Sequence, residues 1–505
     1  MFQYLSGIFS NRPRRAVRPS NGGSLFRQPF SFKSRINARY DAAVTNDDNR
    51  RHWSAADGLS AKTANGAVIR RTLRNRARYE IANNSYARGI SLTLANDIVG
   101  TGPRLQMLTD DPAANRIVET EFGRWSNAVG LAEKLRTMKL ACCGDGEAFG
   151  ILTSNSKIQT PVQLDLMLVE ADQVTTPFGL IGIYNYIDGI QFDAFGNPVS
   201  YHVLKSHPGD MGTAWGEFGT SAWGEFRTVQ SESMLHLFRV DRPGQVRGIP
   251  EITQALPLFA QLRRFTLAVI AAAETAADFA GILYTDSPAN GEADAAEPFE
   301  PIELEKRALL TMPGGWRMAQ LEAQQPCSTY AEFKHEILNE IARCLNMPFN
   351  VAAGNSSGYN YASGRLDHQT YFKSIRVDQS NMARVVLDRI LTAWLNEAIL
   401  IEGFLPQSVR TTSFDSAHQW FWDGQEHVDP LKEANAQATR LSNHTTTLAY
   451  EYARQGRDWE DALYQRAKEL ALMSELGLAL PGAPVPVLPP DVNEESLSDP
   501  TANDE

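Results

Sequence analysis

An uncharged run from Pro348 to Gly364 stands directly ahead of a long helical pattern. The run reads Pro-Phe-Asn-Val-Ala-Ala-Gly-Asn-Ser-Ser-Gly-Tyr-Asn-Tyr-Ala-Ser-Gly. Apolar residues then recur at helical spacing as Phe372, Ile375, Met382, Val386, Ile390 and Trp394. Gly354, Gly358 and Gly364 predict a loop free to change shape. A loop without ionisable groups offers no fixed acid, base or metal ligand for catalysis. Mounted on a rigid helix, it is suited to touching a polymer without gripping it.

The chain has 505 residues, of which 43% are hydrophobic and 21% charged, as in an ordinary soluble protein of two to four structural units. Its formal charge of −11 argues against broad, tight binding to phosphates, but not against a protein that surrounds DNA and lets it move. Residues 1–40 hold eight basic residues and no acid, and residues 481–505 hold six acids and no base, so both ends read as disordered, solvated tails. Cys142, Cys143, Cys327 and Cys344 lack the spacing of a disulfide framework or a zinc site and are expected to be reduced. No apolar run follows the N-terminal basic residues, so no secretory signal is expected, which implies a cytosolic chain. Phe265–Tyr284 is nearly long enough to span a bilayer, yet Glu274 and Asp278 sit in its middle, and its alanines suit helix–helix contact in a soluble assembly.

The period predicts one helix near Ser60–Ile98, with Arg70, Arg74, Arg78 and Arg88 on the face opposite the apolar row. That face reads as solvated, with a partner or DNA contact as the alternative. Helices are also expected over Ala113–Asn127, Leu131–Cys142, Glu251 to about Leu283, and Thr329–Asn346. Strands are expected between Glu147 and Phe238, including a hairpin turning at Gly196-Asn197. The repeated Ala214-Trp-Gly-Glu-Phe218 and Ala222-Trp-Gly-Glu-Phe226 read as a local duplication in a loop. Three helices are expected in 429–477, opened by Asp429-Pro430 and by Asp458.

Little of this looks catalytic. Gly354-Asn-Ser-Ser-Gly358 has the spacing of a hydrolase nucleophile elbow, which would make Ser356 the nucleophile of a serine hydrolase. That motif needs a preceding strand, and Asn346–Asn350 does not resemble one. Neither a phosphate-cradling Gly-x-x-x-x-Gly-Lys nor a dinucleotide-binding fingerprint occurs. Asp145 and Glu147 flank Gly146 and read as a turn entering a strand, with metal ligation as the alternative. His418-Gln-Trp-Phe-Trp422 reads as core or interface. No catalytic residue, cofactor or metal is expected.

Four stretches together resemble the lambda-like family of bacteriophage portal proteins. They are Trp53 to Gly102, Phe238-Arg-Val-Asp-Arg-Pro-Gly-Gln-Val-Arg-Gly-Ile-Pro250, Asn355–Tyr371, and Asp429 to Glu469. The Arg242-to-Pro250 stretch is the most specific. The resemblance implies an α+β portal fold in a cyclic ring of identical subunits, usually twelve, at one vertex of the capsid. Double-stranded DNA would be packaged and ejected through the ring. It implies a basic N-terminal arm (1–40), a wing (41–250), a first stem helix (251–285), a clip (286–328) and a second stem helix (329–346). After these come a tunnel loop (347–364), a long helix and wing return (365–429), a crown (430–478) and an acidic tail (479–505). On that reading Phe349, Asn350, Asn355, Ser356, Ser357, Gly358, Tyr359, Asn360 and Tyr361 line the DNA path, and Glu274 and Asp278 line the channel. Glu300, Glu303, Lys306 and Arg307 would dock terminase and later head-completion or tail adaptor proteins. Further implied partners are the major capsid and scaffold proteins. The implied location is the virion, with the host cytoplasm during assembly and no membrane. The family leaves ATP hydrolysis to the terminase.

Overall fold

Short polar side chains and glycines divide the first helical region, where the periodicity alone predicts one rod. In the computed structural model Asn65-Gly66 separates α1 (Ala61–Ala64) from α2 (Ala67–Asn83). Asn84 then leaves the helix, and its side chain accepts from the N–H groups of Tyr86 and Ala87 to start α3 (Ser85–Val99). The structure describes residues 50–183, 185–210, 225–278, 282–285, 316–319, 329–358, 360–406, 408–409, 418–424 and 430–478. The expected terminal tails, most of the clip and the duplicated Ala-Trp-Gly-Glu-Phe copies lie outside these residues, as does Cys327.

Asp111 caps α4 (Pro112–Ala128), with Pro112 in its first turn. Glycines in the left-handed region bracket α5 (Leu131–Asp145): Gly130 at φ 62° and Gly146 at φ 90°. Beyond Gly146 the period changes from helix to strand. β2 (Glu147–Ser154) is the centre of an antiparallel sheet between β3 (Leu164–Val169) and β8 (Met234–Phe238). A second antiparallel sheet runs β4 (Tyr186–Ile187), β5 (Ile190–Phe192), β6 (Pro198–Leu204), β7 (Phe226–Gln230) and contains the expected hairpin. β1 (Arg104–Met107) pairs with β11 (His418–Phe421), bringing the His418–Trp422 aromatics to the core, where Trp420 lies 5.7 Å from Phe122.

The expected helix from Glu251 to Leu283 is shorter. Pro250–Ala255 forms tight turns, and the helix proper is α6 (Leu256–Asp278). It gives way to a strand, β9 (Ile282–Thr285), paired antiparallel with β10 (Trp316–Ala319). The β-branched and aromatic Ile282–Tyr284 favour extended backbone once the alanine-rich run ends. α7 (Thr329–Cys344) returns against α6, with Phe265 stacked on Tyr330 and tilted against Phe333.

The long helix is not uniform. α9 (Tyr361–Met382) and α10 (Asp388–Leu400) are joined by one π-helical turn, Ala383–Leu387. Tyr371, Ile375, Met382, Val386, Ile390 and Trp394 are fully buried, and the rod packs along its length against α3, β8 and β3. α11 (Pro430–Ser442), α12 (Leu448–Arg454) and α13 (Trp459–Glu475) form the final helical group; Asp458 caps the last, as the sequence predicts, and Thr447 caps the one before it. The described residues from Leu59 onward form one compact unit.

Candidate functional site

Two local structures carry the functional argument: the uncharged segment after α7, and a buried ionic hub that organises the most specific sequence motif.

The segment is more ordered than its glycines predict. Pro348 opens a short helix, α8 (Phe349–Ala353), and Gly354 closes it at φ 62°. Gly354 and Asn355 donate their N–H groups back into that turn. The Asn355 side chain then accepts from the Ser357 N–H at 2.9 Å, an Asx turn, and Gly358 adopts φ 77°. Phe349 and Asn350, expected on a DNA-facing loop, instead pack inward. Phe349 lies 4.0 Å from the His335 ring and contacts the core, and Asn350 Nδ2 is 3.1 Å from His368 Nε2. The reason is the helical turn itself, which directs its apolar side chains to the core as Ala352 becomes buried. Asn355, Ser356, Ser357, Gly358 and Asn360 are exposed. Tyr359 lies outside the described residues, and Tyr361 opens α9.

A helix, not a strand, precedes Gly354, so the Gly354–Gly358 spacing does not build a nucleophile elbow. Glu274 is exposed near the end of α6, and Asp278 is that helix's last residue. Glu300, Glu303, Lys306 and Arg307 lie outside the described residues. α6 is the one helix among the described residues long and apolar enough to cross a membrane, and only 22% of its apolar window is buried.

The hub centres on Glu147, the first residue of β2, which is fully buried. Arg247 grips its carboxylate through Nε at 2.8 and 3.0 Å and through Nη2 at 2.7 Å. Arg74 donates from 3.3 Å, His236 Nε2 lies at 3.1 Å, and the Gly248 N–H donates at 3.0 Å. The rest of the Arg247 guanidinium is satisfied by the carbonyls of Ala171, Val174 and Asp188. Burial alone would raise the Glu147 pKa, but Arg247 and His236 outweigh it and hold the carboxyl well below its ordinary value. Burial lowers His236 despite its carboxylate neighbour, which keeps the ring neutral.

The motif residues follow from this geometry. Gln245 Oε1 accepts from the Asp241 and Arg242 N–H groups, and its amide donates to the Arg239 and Arg247 carbonyls, folding the loop on itself. A Cβ on Gly248 would stand 1.9 Å from the Gly146 carbonyl oxygen. Asn65 donates to the Arg247 carbonyl at 2.7 Å.

This corrects one expectation and removes one alternative. Arg70 and Arg74 are not on a solvated face; they are buried against Asp188, Glu147 and Asp172. Arg78 is half-exposed and clamps Asp145 at 2.6 and 2.8 Å. Asp145 and Glu147 are therefore committed to arginines, not to a metal. Glu170, Asp172 and His207 also converge within 4.8 Å, but Arg74 and Arg78 already pair with those carboxylates, so the cluster is an ion-pair network. The sequence signal for the hub was a glutamate opening an otherwise apolar strand, Glu147-Ala-Phe-Gly-Ile-Leu152.

A second buried pair ties the wing-like layer to the long helix. Lys139 donates to Glu251 at 2.7 Å and to Asp378 at 3.0 Å, while Tyr371 donates to Asp97 at 2.7 Å. Cys142 and Cys143 are buried free thiols beside it, and burial raises both pKa values.

The family model for phage portal protein, lambda family, matches residues 47–379, a span that takes in the hub, α6, α7 and the uncharged segment. The chain belongs to the lambda family of phage portal proteins. Similar portal proteins include the probable portal protein of Halomonas phage phiHAP-1, 24% identical over 86% of this chain and 88% of that one. Portal protein B of Escherichia phage lambda is 21% identical over 67% and 68%. Among solved structures, the neck of the empty gene transfer agent particle aligns with 75% of this chain and 92% of its own, at 14% identity and a TM-score of 0.41. The virion of the native gene transfer agent particle aligns with 82% and 99%, at 12% identity and a TM-score of 0.38. The portal family is a structural one, and the serine-hydrolase alternative has no support from its members or from the geometry around Ser356.

Proposed function

We propose that this portal chain closes into a ring of identical copies and conducts double-stranded DNA, with Asn355–Asn360 at the constriction. The observation that carries the reading is the exposed turn of uncharged side chains, held between α8 and α9 by Gly354 and the Asn355 Asx turn. Amide and hydroxyl groups exchange hydrogen bonds with a passing duplex readily. A ring of Lys or Arg at the same level would neutralise many phosphates together and hold the duplex in place.

The apolar α6 supports assembly. Leu267 and Ile270 are 60% and 48% exposed, and a neighbouring copy would cover them. On this reading 41–250 is the wing, 251–285 and 329–346 the stem helices, 286–328 the clip, 347–364 the tunnel segment and 430–478 the crown. Glu274 and Asp278 give the channel a negative lining. The acidic clip, with Glu300, Glu303, Lys306 and Arg307, docks terminase and then the head-completion or tail adaptor protein. The basic arm contacts scaffold, capsid shell or DNA, and the ring occupies the portal vertex after assembly in the host cytoplasm.

The test replaces Ser356 and Ser357 together by Lys. Rings should form as before, seen by light scattering and negative stain, while DNA passage in a packaging assay slows and becomes salt-dependent. Unchanged passage would remove the turn from the DNA path.

A further inference from the structure

The exposed faces of α7 and α9 carry opposite charges in matching rows. On α7, Glu332, Glu336 and Glu340 follow one another at four-residue intervals and all are exposed. On α9, Arg365, Lys373 and Arg376 share one exposed face, and Arg384 continues it past the start of the π turn. Asp378 of α9 is bound to Lys139 on the opposite side. Glu332 to Glu340 and Arg365 to Lys373 each span eight residues, about 12 Å of helix.

Among the described residues the one charged partner of either row is His335, 3.2 Å from Glu336 on the same helix. Among the described residues no carboxylate pairs with Arg365, Lys373, Arg376 or Arg384, and no cation of α9 pairs with α7. Arg376 and Arg384 bond only to groups of their own helix, the Phe372 carbonyl and Asn381. Lys373, Arg376, Val377 and Ser380 line an open, shallow part of this face. Val377 is 64% exposed there, and Phe333, beside the acidic row, is 44% exposed. Both surfaces thus offer an apolar contact flanked by charge, the form of an interface with a polar rim.

We propose that the acidic row of α7 on one copy docks on the basic row of α9 on the next, and that this contact sets the register between ring neighbours. A closed ring needs two different, mutually complementary patches on every copy, and these rows are such a pair. Charge pairs of this kind steer encounter and fix register more than they add affinity. The duplex is the competing occupant for the basic row. The eight-residue spacing that Glu332 and Glu340 share with Arg365 and Lys373 on the same chain favours a second copy. The inference rests on the ring reading above.

The test uses the full chain with Glu332→Lys and Glu340→Lys in one variant, and Arg365→Glu and Lys373→Glu in another. Among the described residues none of these four side chains has a hydrogen-bond or ion-pair partner, so each variant should melt like the parent. Each alone should lose assembled rings by about tenfold or more, because like charges then face each other. An equimolar mixture should recover them, since alternating copies restore every pair. The chain carrying all four changes should also assemble alone. Rings from either variant alone at the parent's yield would overturn the proposal. So would failure of both the mixture and the fourfold variant, or intact rings that lose only DNA affinity, which would give the basic row to the duplex. Failure of the parent chain itself to form rings would instead remove the ring reading.

Discussion

The hub around Glu147 and the turn from Asn355 to Asn360 treat polar groups in opposite ways. In the hub, charges are buried, and every carboxylate oxygen meets two or more donors from distant parts of the chain. In the turn, charges are missing altogether, and the side chains of Asn355, Ser356, Ser357 and Asn360 are exposed. Buried ion pairs fix one arrangement of backbone, because any other leaves a charge unpaired in a poor solvent. Exposed neutral groups impose no such demand and can exchange partners at low cost. The portal thus keeps its strong electrostatics where position matters and removes them where sliding matters.

The comparison breaks most sharply at Arg247. Arg247→Ala strands the Glu147 carboxylate and should cost about 3–5 kcal/mol of stability, read as a large drop in melting temperature. Arg247→Lys should recover only part of it, since an ammonium cannot match the two-pronged grip of Nε and Nη2. Gly248→Ala comes next, at about 1–3 kcal/mol, because its Cβ would meet the Gly146 carbonyl. Gln245→Ala should cost about 1 kcal/mol as the loop from Asp241 to Arg247 loses its side-chain bonds. Ser356→Ala should fall within about 0.5 kcal/mol of zero, and assembly should persist. A large loss there would show that the turn is a structural element and erase the contrast.

Acid should separate the regions as well. The folded pKa of Glu147 is depressed, so its contribution is present above its ordinary value of 4.5 and is lost as pH falls. His236, also depressed, adds destabilisation in the same direction from about pH 6.5 downward. Glu119 behaves oppositely. Burial, then the nearby Asp458, Glu460 and Asp461, raise it to about 7 against the Met107 N–H that favours its charged form. A raised folded pKa favours the native state at low pH, and that gain disappears as pH rises from 4.5 through 7. Glu119→Gln should therefore flatten the stability profile between those values, and Glu147→Gln should flatten it below them. Thermal melts at stepped pH would show both.

Much of the architecture was legible, because α4, α5, α7 and the β5–β6 hairpin announce themselves through period, proline, glycine and capping residues. The misses share a cause. Arg70, Arg74 and Arg78 recur at helical spacing on a polar face, which is how a solvated stripe also reads. Their placement depends on Asp188, Glu147, Asp172 and Asp145, which arrive from 67 to 118 residues away. Periodicity carries no long-range pairing. Phe349–Ala353 was hidden between Pro348 and Gly354, residues that signal a break although they here delimit one helical turn. The π turn at Ala383–Leu387 leaves the apolar period nearly unchanged and so has no sequence mark. The exposed part of the uncharged segment was readable because it depends on composition alone.

Cryo-electron microscopy of the purified, assembled protein tests the central claim most directly. The account predicts a closed ring with Asn355–Asn360 of every copy turned toward the axis at the narrowest level, and with no Lys or Arg side chain at that level. A ring whose constriction is formed by another segment, or an assembly that carries this turn on its outer rim, would contradict it.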